Sequence, residues 1–242
     1  MAVITMACPK GGVGKTTLAM VLAGELVQAG RSVTVIDGDP NTPFKNWKTI
    51  RGCHRRMKIR SDITEDTIID EIEAGKEESD LVVVDLEGSA GLMVTYAITR
   101  SDLVLVPIQG SVLDRDQGIR AVRLIRRNEK ALERTIPFTI VGTRTNTAVQ
   151  GRTQKHTFQE MVDAGLDFLG SQLIEREAFR AIFSFGGTLH DLRPEQVGGL
   201  VNAKENAAAL TFDVLQRLPK KRKAARKSVS TKLKPVTKGR VA

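Results

Sequence analysis

Eight consecutive residues, Lys10-Gly11-Gly12-Val13-Gly14-Lys15-Thr16-Thr17, bring together three glycines, two ammonium groups and two hydroxyls. That combination suits a polyphosphate. Glycine carries no Cβ, so backbone N–H groups from Lys10 to Thr17, that of Val13 included, can curl inward around phosphate oxygens. A short apolar run precedes the stretch and a helical pattern follows it. The phosphates would therefore also meet the partial positive charge of a helix N-terminus. Lys15 is placed to reach the β- and γ-phosphates, the Thr16 hydroxyl to ligate Mg²⁺, and Thr17 to support the α-phosphate. The predicted chemistry is the binding of a nucleoside triphosphate with magnesium and the hydrolysis of its terminal phosphate.

Two further segments offer carboxylates. Leu81-Val82-Val83-Val84-Asp85 is an apolar strand ending in an acid, the form that holds Mg²⁺ through water. Ile36-Asp37-Gly38-Asp39-Pro40-Asn41 places Asp37 at a strand end and Asp39 two residues on. Strand carboxyl ends of a parallel sheet face the ligand crevice. The alternative is that both aspartates cap a turn. In Leu86-Glu87-Gly88, Gly88 offers a backbone contact to the γ-phosphate. Glu87 is either a base at the site or a solvated side chain, and the sequence leaves the two open.

Only a sheet can bring these groups together, and the pattern alternates strands with helices. Strands are predicted at Ala2–Ala7, Ser32–Ile36, Leu81–Val84, Leu103–Pro107 and Phe138–Val141. Helices are predicted from Lys15 to about Ala29, in part of Thr42–Arg51, at Asp66–Glu73, from about Gln117 to Arg134, and near 149–164, 176–184 and 200–217. Continuous apolar strands between helices imply an α/β fold, a mostly parallel twisted sheet with helices on both faces. Residues 1–218 show no internal repeat or linker and are expected to form one domain.

Composition narrows the classes. The 242 residues are 41% hydrophobic, enough for a core, and only 4% aromatic, which argues against base stacking as the main mode of recognition. No apolar run has the length of a membrane span, and the N-terminus lacks the pattern of a signal peptide, so a cytoplasmic, soluble protein is expected. Cys8 and Cys53 form no disulfide or cluster pattern, and His54, His156 and His190 form no metal pattern. The net charge of +9 is uneven. Residues 219–242 carry ten basic residues and no acid, which leaves the first 218 at −1. The tail, with Lys220, Lys221, Arg222 and Lys223 at its start, is expected to be disordered and to hold polyanions; a solubilising role is the alternative. Pro219–Lys223 also resembles a nuclear import signal, here incidental. Further DNA-contact candidates are Arg120, Arg123 and Arg127, with Lys130 and Arg134, at three- and four-residue spacings on the long helix. Arg176 and Arg180 share a face at i, i+4, and Arg144 follows a strand.

One departure in the glycine loop is informative. Where the usual loop has its first glycine stands Pro9, and Lys10 is an additional lysine. This form resembles the deviant Walker A motif of ParA/MinD-type P-loop ATPases. The resemblance implies that Lys10 reaches the phosphates of a facing subunit's nucleotide and makes ATP binding a dimerisation signal. By the same resemblance Asp39 orients the attacking water and Asp37 holds the metal's water shell. The implied catalytic set is Lys10, Lys15 and Asp39, with Thr16, Asp37 and Asp85 at Mg²⁺ and ATP as the nucleotide.

The similarity covers most of residues 1–215. Asn46-Trp47, Val106-Pro107-Ile108 and Leu113-Asp114 resemble the small ParA proteins of plasmid partition. Glu175–Phe179 and Gly186–His190 resemble VirC-type ATPases of DNA transfer. The implied function is DNA segregation through an ATP-dependent homodimer, non-specific DNA and a ParB-type or DNA-processing partner, with nucleoid association. With the loop starting at residue 10, no preceding operator-reading domain is expected. A MinD-like membrane ATPase would call for an amphipathic C-terminal helix with bulky apolar residues, which 219–242 lack. An accessory ATPase that recruits a DNA-transfer complex is the other alternative.

Overall fold

In the computed structural model, which describes residues 1–88, 91–145 and 151–219, seven strands form one sheet in the order β3-β2-β4-β1-β5-β6-β7. They are β1 (Ala2–Met6), β2 (Val33–Gly38), β3 (Met57–Arg60), β4 (Leu81–Leu86), β5 (Leu103–Ile108), β6 (Phe138–Thr145) and β7 (Leu173–Ile174), and every pairing is parallel. The tail from 220 onward, with Lys220, Lys221, Arg222 and Lys223, lies outside the described residues.

Helices cover both faces. On one lie α1 (Lys15–Gln28), α2 (Pro43–Arg51), α7 (Glu177–Phe185) and α8 (Leu200–Arg217); on the other lie α3 (Ile68–Glu78), α4 (Leu92–Arg100), α5 (Val112–Leu132) and α6 (Arg152–Asp163). The strands divide their side chains between the two layers. In β1, Ile4 and Met6 join the first core and Val3 the second. Burial on both faces explains why these strands read as unbroken apolar runs. No helix among the described residues is long and apolar enough to cross a membrane.

Three elements escape sequence patterning. β3 carries Lys58 and Arg60 and buries only Met57, since it is an edge strand with one neighbour. β7 is two residues long. The α4 segment, LMVTYAITR, is rich in β-formers, but its buried Val94, Ala97 and Ile98 recur at helical spacing and packing overrides propensity. The long helix begins at Val112 rather than near Gln117. Ser111 and Asp114 form a reciprocal capping box there, which satisfies the first free amides. It also ends earlier, at Leu132, because Glu133 is left-handed; Arg134 lies off the helix and donates to the carbonyls of Thr99 and Ser101. β2 and β4 run on through Asp37 and Asp85, which pair directly across the strands.

Candidate functional site

The strand order decides the site. β1 leads into the glycine loop, β4 lies beside it, and β2 lies beside β4. All three chemical segments therefore emerge together at the carboxyl ends of these parallel strands. A cleft of about 360 Å³ opens there, walled by loop residues Gly11, Gly12, Gly14, Lys15, Thr16 and Thr17. Across it stand Asp39, Asn41, Glu87, Gly88 and Arg144.

Gly12 and Gly14 have φ of 73° and 94°, so an L side chain at either would be strained. Gly14 also precedes the first turn of α1, whose opening amides face the loop. The loop is fastened from behind. Thr143 Oγ1 donates to the Val13 carbonyl at 2.6 Å, and Gln109 Nε2 donates to that of Gly12 at 2.7 Å. Val13 itself is fully buried, so its part in a phosphate cradle is its backbone.

Gly88 touches the loop. A Cβ there would stand 2.6 Å from the Gly11 nitrogen and from the Lys10 carbonyl carbon. Only glycine permits this backbone-to-backbone approach between the segment after β4 and the phosphate loop.

The two lysines are held differently. Lys15 is buried and donates to the carbonyls of Lys10 at 2.8 Å and Cys8 at 3.3 Å. Burial lowers its pKa, with nearby negative groups working the other way. Lys10 Nζ lies 2.5 Å from Asp114 Oδ1 in the same chain. Burial alone would raise the Asp114 carboxyl, but hydrogen bonds from Lys10 and Ser111 outweigh it and hold the pKa below the ordinary range. In this conformation Lys10 is thus parked on the N-terminal turn of α5.

Asp37 and Asp85 are both fully buried. Asp37 Oδ2 accepts from the Phe44 and Lys45 amides at 3.0 and 3.2 Å, so one oxygen anchors the start of α2. Among the described residues its Oδ1 and both oxygens of Asp85 have no hydrogen-bond partner. Desolvation pushes Asp85 up to about 7, with the nearby Thr16 hydroxyl and Lys15 opposing the rise and the Asp37 charge adding to it. Desolvation also raises Asp37. Unpartnered buried carboxylate oxygens are costly unless a cation compensates them, so this pair fits a hydrated Mg²⁺ with the Thr16 hydroxyl beside it. The described residues contain no cluster of three side chains able to hold a metal alone, so phosphate and water oxygens would complete its shell.

Asp39 lies at the mouth of the cleft. Its Oδ1 accepts from the Asn41 amide at 2.8 Å and from its side chain at 2.9 Å. Both aspartates of this segment therefore do cap local turns; Asp39 also lines the cleft, while Asp37 lies buried opposite Asp85. Glu87 is exposed and lines the same cleft.

Arg144 is a cleft residue that motif reasoning did not assign. Its φ of 49° places it at a left-handed turn near the end of β6, beside Gly14 and Thr17. The only sequence signal was its place just after a strand. Arg176, which i, i+4 spacing sets beside Arg180 on one helix face, instead stands in extended backbone at the N-cap position of α7 and makes no side-chain cap bond there. It lines a small recess with Gly14 and Arg144, and its buried Nε has no partner among the described residues. Arg180 is committed to Glu175 and Glu177, which neutralise it.

Arg120, Arg123 and Arg127 are exposed on α5, away from the cleft. Lys130 is also exposed on α5, and Arg126 lies over the Phe138 ring. Neither cysteine has the character of a reactive thiol: burial raises Cys8 and Cys53, and Cys53 Sγ donates to the Met57 carbonyl. Asn46-Trp47 and Gly186–His190, distant in sequence, meet in space. Trp47 Nε1 donates to the Gly187 carbonyl at 3.0 Å.

The parallel sheet, the two-lysine glycine loop and the buried strand carboxylates define a P-loop ATPase fold of the ParA/MinD type. The chain belongs to the VirC1 family: the family described as VirC1 protein matches residues 1–226. It is 35% identical to Protein ParA of Rhizobium radiobacter over 218 residues, 90% of this chain and 98% of the relative. Among solved structures it is similar to apo McdA of Cyanothece, with a TM-score of 0.71 and 17% identity over 88% of this chain and 99% of that one. It is also similar to a Borrelia burgdorferi plasmid partition protein bound to AMPPNP, with a TM-score of 0.66 and 19% identity over 90% and 99% of the two chains. At these identities the two structures speak for the fold alone.

Proposed function

We propose that the protein is a DNA-segregation ATPase that binds ATP with Mg²⁺, dimerises, engages DNA non-specifically, and resets by slow, partner-stimulated hydrolysis. The observation that carries this reading is the meeting, at the carboxyl ends of β1, β4 and β2, of a two-lysine glycine loop with the buried carboxylates of Asp37 and Asp85, of which Asp37 Oδ1 and both Asp85 oxygens have no partner among the described residues. The loop amides, Lys15 and Thr17 hold the phosphates. Thr16, Asp37 and Asp85 hold the magnesium, which supplies charge neutralisation when bound. Asp39 orients the attacking water. Such phosphoryl transfer depends mainly on positioning and charge stabilisation.

Lys10 is the group that couples nucleotide to assembly. Asp114 competes for its ammonium within one chain. Phosphate charge presented by a second copy offers a stronger partner, so Lys10 exchanges an intramolecular ion pair for one across an interface. The basic tail supplies the DNA contact through phosphates, and a ParB-type protein is the proposed stimulating partner at the nucleoid. The VirC1 family match and the identity to Protein ParA support DNA maintenance. The same family match favours, as a second reading, an accessory ATPase that recruits a DNA-transfer complex.

Sedimentation with Mg²⁺ and a non-hydrolysable ATP analogue tests the cycle. Wild-type protein should dimerise only with the analogue. Lys15→Ala should abolish nucleotide binding. Lys10→Ala should bind nucleotide and stay monomeric, and a Lys10→Ala protein that dimerises normally would refute the role across the interface.

A further inference from the structure

A second cavity lies behind the phosphate loop, between α4 and α5. Its volume is about 360 Å³, within the range of ligand pockets. The floor is apolar: Val94 and Ile98 come from α4, and Ala121 and Leu124 from α5, with Pro9 at one end. The rim is cationic. Arg120, Arg123 and Arg127 stand at i, i+3 and i+7, so one helix face brings three guanidiniums to the same opening. No ion pair among the described residues involves any of them, whereas Arg115 on the same helix is paired with Asp116 and Glu160.

We infer that this cavity is a docking site for a partner protein's peptide segment that carries a large apolar side chain flanked by carboxylates. The apolar floor takes the side chain out of water. The guanidiniums receive carboxylates, the planar groups they bind bidentately. Charge complementarity calls for an anionic occupant, and the apolar floor selects a peptide over duplex DNA. A phosphate backbone could meet the rim but would leave the floor unfilled. Pro9 precedes Lys10, and α4 lies a few residues beyond Gly88, so an occupant would touch the two segments that meet at the nucleotide. The inference rests on the proposed function only in taking the occupant to be a protein of the ATPase cycle; the cavity itself is built by one chain.

A displayed random-peptide library, selected on immobilised full-length protein with and without Mg²⁺ and ATP, tests it. An enriched peptide is then labelled and titrated by fluorescence anisotropy. Enriched sequences should pair an aliphatic or aromatic residue with neighbouring Asp or Glu. Arg120→Ala and Arg123→Ala should each weaken binding by about tenfold, the scale of one charge-assisted hydrogen bond. Arg123→Glu should turn the selection toward lysine-bearing peptides. Because these positions are exposed, the variants should fold.

Absence of acidic–apolar enrichment, or arginine variants with unchanged peptide affinity, overturns the inference. If the same variants lose duplex DNA but not peptide, the rim is a nucleic-acid surface and the inference fails. If ATP abolishes peptide binding and the arginine variants no longer dimerise, the cavity belongs to a second copy, and it fails again. A chain that captures acidic peptides yet never dimerises with ATP would refute the proposed cycle while leaving this site standing.

Discussion

Replacing Asp85 with asparagine should stabilise the ligand-free protein at neutral and alkaline pH. Asp85 is fully buried, both its oxygens lack hydrogen-bond partners among the described residues, and desolvation raises its pKa from 3.8 to about 7. A shift of about 3 units at roughly 1.4 kcal/mol each is about 4 kcal/mol. A group that binds its proton more tightly when folded favours the folded state while protonated in both states, below pH 3.8. That advantage drains as pH rises toward the folded value of about 7, and above it the ionised carboxylate has lost all of it. The neutral amide of Asp85→Asn does not titrate. The variant should therefore match wild type near pH 4, gain steadily to about pH 7, and stay ahead above that by up to about 4 kcal/mol, an upper bound that relaxation will reduce. This is a sizeable share of a typical domain stability of about 5–15 kcal/mol. Urea titrations in EDTA, read by the single buried tryptophan, Trp47, measure it across the pH range. Adding ATP and Mg²⁺ should narrow or reverse the difference, because wild type, with the Asp85 carboxylate at the metal, gains the larger binding energy. A stability difference independent of pH, or a variant weaker than wild type at pH 8 without ligands, refutes the reasoning.

Asp39→Ala should bind ATP and prolong the dimer while slowing hydrolysis, and single-turnover rates at the wild-type value would remove Asp39 from water positioning. Gly88→Ala should impair the nucleotide response more than stability, since its Cβ would collide with the Gly11 nitrogen at 2.6 Å; nucleotide-dependent dimerisation beside urea midpoints separates the two. Trp47→Phe should cost about 1 kcal/mol for the lost bond to Gly187, with nucleotide affinity unchanged, as denaturation and nucleotide titration would show. Deleting residues 219–242, with their ten positive charges, should flatten the slope of log K for duplex DNA against log salt by about 4–5 units if half the charges engage phosphates. An unchanged slope would mean that the tail serves something other than DNA.

The local chemistry was legible because each piece needs only its neighbours in the chain. Gly12 and Gly14 announce a backbone no other residue adopts easily, Lys15-Thr16 opens a helix, and an apolar strand running into Asp85 is a pattern within five residues. Their convergence was not legible. Nothing in the order of segments along the chain says that β4 inserts between β1 and β2, and that insertion sets Asp37 opposite Asp85, where Asp37 Oδ1 and both Asp85 oxygens have no hydrogen-bond partner among the described residues. Charge was read least well, because a side chain's worth depends on what faces it. Lys10, Arg176 and Arg180 look alike as basic residues in a string. Tertiary packing sets the first on Asp114, buries part of the second beside the phosphate loop, and neutralises the third with two glutamates. Arg120, Arg123 and Arg127 share a helix face by spacing alone. That the face rims an apolar cavity depends on α4, whose β-prone sequence concealed it as a helix. Periodicity and turn chemistry act over a few residues and can be read from them; register, burial and ion pairing come from segments far apart in the chain, and they exist only once the sheet has closed.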